Sequence, residues 1–164
     1  MMEIRDAEIG EADRLAQMWY DGWCDAHLPI VPAALAQVRT LASFRDRMRA
    51  AVGEVRVAGP VGAPAGFYLL KDDELYQLYV SAAARGSGVA ARLMADAEAR
   101  LAGRGVETAW LGCAIGNQRA ARFYEKCGWH MARTFVSDLE TTEGIFRLEV
   151  WRYEKRLRRS PPGE

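Results

Sequence analysis

Residues 78–90 constrain the fold of this chain more than any other stretch. They run Leu78-Tyr79-Val80-Ser81-Ala82-Ala83-Ala84-Arg85-Gly86-Ser87-Gly88-Val89-Ala90. The order reads as an apolar strand, a loop of small residues, a glycine turn, and a helix beginning near Ser87 or Gly88. A glycine turn that feeds a helix points several backbone N–H groups one way, with the positive end of the helix dipole behind them. That arrangement cradles an anion, most naturally phosphate or pyrophosphate. Gly86 and Gly88 allow close backbone approach, and Arg85 adds a fixed positive charge at the rim.

The residues around the glycines narrow the choice of ligand. Gly86-Ser87-Gly88-Val89-Ala90-Ala91 satisfies a loose dinucleotide fingerprint. Such a site also wants a carboxylate near the end of the next strand for a ribose hydroxyl. The next strand, residues 108–114, ends in Leu111-Gly112-Cys113-Ala114, and Glu107 stands at its start. A Walker phosphate loop is excluded because no Gly-Lys-Ser/Thr follows.

Two blocks in fixed order fit another pattern. Arg85-x-x-Gly88-x-Ala90, preceded by Leu78-x-Val80, resembles the acetyl-CoA signature of the GNAT superfamily of N-acetyltransferases. Downstream, Asn117-x-x-Ala120-x-x-Phe123-Tyr124-x-x-x-Gly128-Trp129 resembles the superfamily's second segment. One amphipathic helix and one strand separate them. The resemblance covers residues 74–129 at motif level.

Composition is compatible with one enzyme domain. A chain of 164 residues can bury a sizeable core. Its 22 Lys and Arg balance 22 Asp and Glu, so no overall field favours nucleic acid or a membrane surface. Arg85, Arg92, Arg119 and Arg122 can still form a local basic rim. Cys24, Cys113 and Cys127 are odd in number and lack metal-ligand spacing, so neither a disulfide framework nor a metal site is expected. The N-terminal residues carry no apolar signal region, and no stretch approaches the ~20 apolar residues of a membrane span. A cytoplasmic location is the default expectation.

The periodicities predict a mixed α/β order. Strands are expected at residues 3–7, 54–58, 65–71, 75–80 and 108–114, with a closing pair at 129–136 and 146–153. Helices are expected at 10–23, in one or two pieces across 33–51, at 88–102 and at 118–127. This is the GNAT-like α/β (α+β) fold: a mixed, mostly antiparallel twisted sheet of about seven strands with helices on both faces. Residues 1–155 read as a single domain, and 156–164 as a polar, frayed tail.

The resemblance implies acetyl-CoA as co-substrate and direct transfer of its acetyl group to a primary amine of a small molecule or peptide. It places the cofactor on Leu78, Tyr79, Val80, Arg85, Gly86, Ser87, Gly88, Val89, Ala90, Asn117 and Phe123. A backbone amide at or near Leu78 or Tyr79 serves as oxyanion donor. Tyr124 is the candidate general acid, because a phenol is protonated at neutral pH and can donate to a departing thiolate. Asn117 is equally suited to capping the helix that follows it. Glu74 is the candidate base, with Asp72, Asp73 or no dedicated base as alternatives. Strict alternation puts Glu74, Tyr76, Leu78 and Val80 on one face of their strand, a phase that a bulge would break. Trp19 and Trp23 share a helix face and, with His27, are candidates for the acceptor wall; packing in the core is the competing role for the tryptophans. Asp21 and Asp25 can attract an ammonium or stand solvated. No cysteine lies beside a histidine base, with only His27 and His130 available, so an acyl-enzyme is not expected. A homodimer is compatible with the sequence. Two rival readings remain at this level: a non-catalytic acyl-CoA-binding regulatory module, and a dinucleotide-binding domain.

Overall fold

The computed structural model describes residues 2–157. In chain order the elements are β1 (Ile4–Asp6), α1 (Ala12–His27), α2 (Ala33–Val38), α3 (Leu41–Ala51), β2 (Val55–Ala58), β3 (Gly66–Lys71), β4 (Glu74–Val80), α4 (Val89–Gly103), β5 (Thr108–Ala114), α5 (Gln118–Lys126), β6 (His130–Thr141) and β7 (Gly144–Arg156). The seven strands form one sheet in the order β1-β2-β3-β4-β5-β7-β6. Every neighbouring pair is antiparallel except β4 and β5, which run parallel.

Each face of the sheet has its own apolar layer. On one face, Leu15, Ala16, Trp19 and Trp23 of α1 pack with Leu35, Phe44 and Met48 of α2 and α3 against Val55, Val57, Phe67 and Leu69. The spacing of the α1 residues is that of a single helical stripe. On the other face, Val89, Leu93, Met94, Ala97 and Leu101 of α4 cover Tyr68, Leu70, Leu75, Ala109 and Leu111, and Ala121 of α5 joins them. Thr40 breaks the helical run at 33–51 into α2 and α3: its hydroxyl accepts from the Ser43 N–H at 3.2 Å and caps α3.

Three local features position the slot described below. First, Leu69 pairs with Gln77 but Leu70 with Leu75, so Tyr76 is an extra residue, a bulge in β4. Leu75, Leu78 and Val80 therefore pack toward α4, while Tyr76 and Tyr79 pack toward α1. The expected single face is corrected accordingly: Glu74, alternating with Leu75, falls on the side of Tyr76 and not with Leu78 and Val80. Second, β6 and β7 run well past the expected 129–136 and 146–153. They continue as a hairpin arm to Thr141↔Gly144. Along the arm, outer residues are exposed while Leu139, Phe146 and Leu148 pack onto the α1–α3 layer. Third, Tyr79 lies directly against Gly22 of α1, where a Cβ would stand 2.6 Å from Cδ1 of the ring. The tyrosine uses the gap that a missing side chain leaves.

At the C-terminal end, Arg156 is still in β7 and Leu157 is buried, its N–H donating to the Glu107 carbonyl at 2.8 Å. The rest of the expected tail, 158–164, lies outside the described residues. No helix among the described residues is long and apolar enough to cross a membrane.

Gly22→Val should be costly, because the new side chain must push Tyr79 away from Phe67, on which it stacks at 6.0 Å. We expect a loss of about 1–3 kcal/mol, the usual range for overpacking, read as a lower urea midpoint with unchanged slope.

Candidate active site

The parallel pair β4 and β5 is joined at one register position, Glu74↔Trp110. There the Trp110 N–H donates to the Asp73 carbonyl at 3.2 Å, and its indole N–H donates to the Asp73 carboxylate at 3.0 Å. Beyond this staple the strands diverge and open a slot of about 550 Å³. The Ser81 N–H donates to the Ala65 carbonyl at 2.8 Å, in the same ladder as the pair Phe67↔Tyr79. Alternation then turns the backbone N–H and C=O groups of Leu78 and Val80 away from β3 and into the slot, where no strand meets them. An extended ligand with amide groups can complete that edge.

At the open end of the slot, Ser81 caps a short 3-10 turn, Ala82–Ala84, and α4 begins at Val89. Gly86 has φ +78° and Gly88 has φ +87°, and a Cβ at either would meet nothing within 4 Å. The left-handed backbone explains why both positions are glycine, and the open space in front of them is room for a ligand. The first N–H groups of α4 are unpaired within the helix and face this turn. Val89 is buried in the core, so only its amide is available, and the Ser87 hydroxyl is spent donating to the Ala84 carbonyl.

The arginines at the rim are held by an acid. Arg85 and Arg119 both donate to one Asp25 oxygen, at 2.8 and 3.2 Å. Those two guanidinium groups hold the Asp25 carboxyl below its ordinary range. Asp25 therefore ties the end of α1 to the glycine turn and to the start of α5. Asp21 bonds the Gln17 side chain at 2.9 Å instead. Of the four arginines considered for a basic rim, Arg85 and Arg119 border the slot and Arg92 and Arg122 do not.

On the α4–α5 side, Phe123 and Tyr124 face the slot with ring centroids 5.8 Å apart. Burial pushes the Tyr124 phenol well above its usual range, so it is a proton donor at any physiological pH. Asn117 accepts from the Ala120 N–H at 3.4 Å and caps α5 while also bordering the slot. Cys113 borders it too, but burial pushes its thiol up to about 12. A thiol so disfavoured as thiolate is a poor nucleophile.

On the α1 side, Trp19 and Trp23 pack edge-on and tilted against Phe44 at 5.2 and 5.9 Å. They are core residues whose edges also wall the slot. His27 stacks on Trp23 at 5.2 Å, and its Nδ1 lies 3.0 Å from the Trp23 carbonyl. A carbonyl only accepts, so the proton sits on Nδ1; burial favours the neutral ring and leaves Nε2 free as an acceptor. At the closed end, burial raises the Glu74 carboxyl to about 7, reinforced by Asp73 and Asp72 and opposed by Lys71 and Arg152. Among the described residues no group of three or more His, Cys, Asp or Glu is placed to hold a metal.

The strand, glycine turn and helix expected from residues 78–90 are present as β4, Gly86–Gly88 and α4. A model of the acetyltransferase (GNAT) family matches residues 17–129. The chain belongs to that family. An N-acetyltransferase of Mycobacterium tuberculosis, itself uncharacterized, is 36% identical over 112 residues, covering 64% of this chain and 69% of the relative. The fold resembles a GCN5-related N-acetyltransferase from Rhodopseudomonas palustris, with TM-score 0.74, 18% identity and 96% of each chain covered. It also resembles the PaiA N-acetyltransferase of Thermoplasma acidophilum, solved with coenzyme A, with TM-score 0.70 and 16% identity over 95% of this chain and 99% of that one. As a GNAT acetyltransferase the protein is an acetyl-CoA-dependent acyltransferase, which displaces the dinucleotide reading.

Several wall residues were not legible in the sequence, among them Arg39, Arg47, Tyr76 and Leu139. Tyr76 reaches its place through the bulge, Leu139 through the extended arm, Arg39 at the turn that ends α2, and Arg47 from within α3. No local pattern announces any of these.

The Glu74 shift gives a stability test. The folded carboxyl binds its proton more tightly than the unfolded one, whose value is near the ordinary 4.5. Stability is therefore lost as pH rises from that value through about 7. Glu74→Gln should melt higher than the parent at pH 8, by about 1–3 kcal/mol, with the difference vanishing at pH 4.

Proposed function

We propose that this acetyltransferase moves the acetyl group of acetyl-CoA directly to a primary amine of a small molecule or peptide. The observation that carries the reading is the unpaired edge of β4. Leu78 and Val80 offer strand-like hydrogen bonds to pantetheine, and the same strand runs on into the Gly86–Gly88 cradle. The PaiA neighbour, whose structure contains coenzyme A, supports the assignment of the cradle to that cofactor. Acetyl-CoA supplies the activated thioester; the protein supplies orientation, charge stabilisation and proton transfer.

The chain's groups divide the work as follows. The first N–H groups of α4 and the amides of Gly86 and Gly88 bind the pyrophosphate, which fixes the thioester near Leu78. The backbone amide of Leu78 donates to the oxygen that gains negative charge; Tyr79, the other residue expected for this role, turns its amide toward β3 in the Phe67↔Tyr79 pair and is set aside. Tyr124 gives its proton to the departing sulfur, a task suited to a phenol held protonated by burial. Glu74 accepts the amine's proton. Four residue steps along the strand separate it from Leu78, on the order of 13 Å, so its reach is through water rather than by contact. A carboxyl raised to about 7 is poised for that role. Direct transfer has no need of Cys113, whose buried thiol stays protonated.

Tyr124→Phe should lower kcat by roughly 10- to 1000-fold with acetyl-CoA affinity kept, given general-acid contributions of about 10²–10⁴; an unchanged kcat, with chemistry shown to limit the rate, removes Tyr124 from the mechanism. The pH profile of kcat/KM should rise through an apparent pKa near 7 and lose that limb in Glu74→Gln. Gly88→Asp places a negative side chain on a left-handed backbone inside the cradle. Calorimetry should then show acetyl-CoA binding weakened at least tenfold, about 1.4 kcal/mol, and retained affinity would put the cradle elsewhere.

A further inference from the structure

The half of the slot farthest from the glycine turn is walled by α1, by the turn between α2 and α3, and by the β6–β7 arm. Its charge is unusual. Arg39 is 5% exposed, and among the described residues its side chain makes one hydrogen bond, from Nη1 to the Glu140 carbonyl at 2.8 Å. Arg47 lies with its guanidinium 4.2 Å above the Trp19 ring and donates to the Tyr76 hydroxyl at 3.1 Å. Among the described residues no carboxylate stands within 4.0 Å of either guanidinium. Burial and the neighbouring Arg47 push Arg39 down to about 10, the mark of a cation short of a counter-charge.

A third donor lacks a partner in the same wall. Trp19 is 1% exposed, and its indole N–H has no acceptor among the described residues. Buried polar groups are normally satisfied, and a buried charge left without a partner is costly. Here two cations and a tryptophan with a spare donor border the acceptor end of a slot to which Leu35, Leu139 and Leu148 give an apolar wall, and to which Glu74 contributes a carboxyl that pairs with neither guanidinium. What they lack in common is an anionic oxygen acceptor. Planar guanidinium groups match a carboxylate, which accepts from them at paired oxygens.

We propose that the acceptor is an amine that itself carries a carboxylate, held by Arg39 and Arg47 with its apolar body against Leu35, Leu139 and the tryptophans: an amino acid or a close analogue. This rests on the acetyl-transfer reading above. The carboxylate anchors the molecule at the arginine end and leaves its amine toward the thioester. A polyamine or other polycationic acceptor meets the opposite situation, since it brings positive charge to two uncompensated arginines.

The test compares each of the common L-amino acids with its primary amide, which keeps the amine and body and removes the negative charge. Spermidine and a simple aralkylamine complete the panel, with CoA release as the readout. We expect at least one amino acid to exceed its amide by 30-fold or more in kcat/KM. In Arg39→Gln and Arg47→Gln that ratio should collapse through KM, with kcat within a few-fold of the parent, and Arg47→Lys should recover part of it. Amides or polyamines turned over equally well overturn the proposal. So does an acid preference that neither glutamine variant moves. A panel with no accepted acid, while calorimetry records acetyl-CoA binding, overturns the substrate class and leaves the cofactor reading intact; loss of acetyl-CoA binding by the parent protein would instead strike the reading beneath it. The acid-to-amide comparison is made on the unmodified protein, so it stands even if a variant fails to fold.

Discussion

Much of what is distinctive in this protein depends on a strand pair that is allowed to fail. β4 and β5 meet at Glu74↔Trp110 and nowhere further along, and Asp73 fixes that meeting with both its carbonyl and its carboxylate. A sheet interior normally satisfies every backbone group with a neighbouring strand. Here the groups of Leu78 and Val80 are left for something else to satisfy. The two apolar layers on either face keep the sheet intact around that gap: α4 is anchored through Leu93 and Ala97, and α1 through Leu15 and Trp19. The slot is thus a local absence of pairing inside a well-packed frame.

The donor side of the site was legible in the sequence because backbone conformation writes itself into residue type. A left-handed turn before a helix demands glycine, and Gly86 and Gly88 appear where the turn needs them. Likewise Asn117 marks the start of α5 and Gly128 its end, so the helix carrying Phe123 and Tyr124 could be placed to within a residue. The acceptor side was not legible. Its wall is assembled from side chains far apart in sequence, whose types have ordinary surface roles elsewhere. Arg39 and Arg47 look like solvated helix residues until the fold turns them inward. The β6–β7 arm is polar on its outer face, so a windowed reading ends the strands near Val136 and loses Leu139. A single inserted residue, Tyr76, reverses the phase of β4 and moves Glu74 to the other face.

That reversal helps the chemistry. On the face of Leu78 and Val80, Glu74 would sit under α4 among aliphatic side chains, out of reach of an acceptor. On the face of Tyr76 it looks toward the α1 side, where the acceptor wall is built. Partial burial there, with Asp72 and Asp73 nearby, holds the carboxyl close to neutrality. The bulge thus lets one strand serve two layers, and in the proposed mechanism its backbone edge meets the cofactor while its first carboxylate meets the acceptor.

Asp25 has a consequence for what drives cofactor capture. Because it already engages both Arg85 and Arg119, the two rim cations are not idle charges awaiting a polyanion. Phosphate groups arriving there exchange one oxyanion partner for another, and the net Coulombic gain is only the difference between the two. In the proposed binding mode most of the affinity then comes from neutral groups, the amides of the turn and the unpaired edge of β4, which mobile ions barely screen. Cofactor binding built this way is comparatively indifferent to ionic strength, a property that a rim of unpaired arginines would not confer.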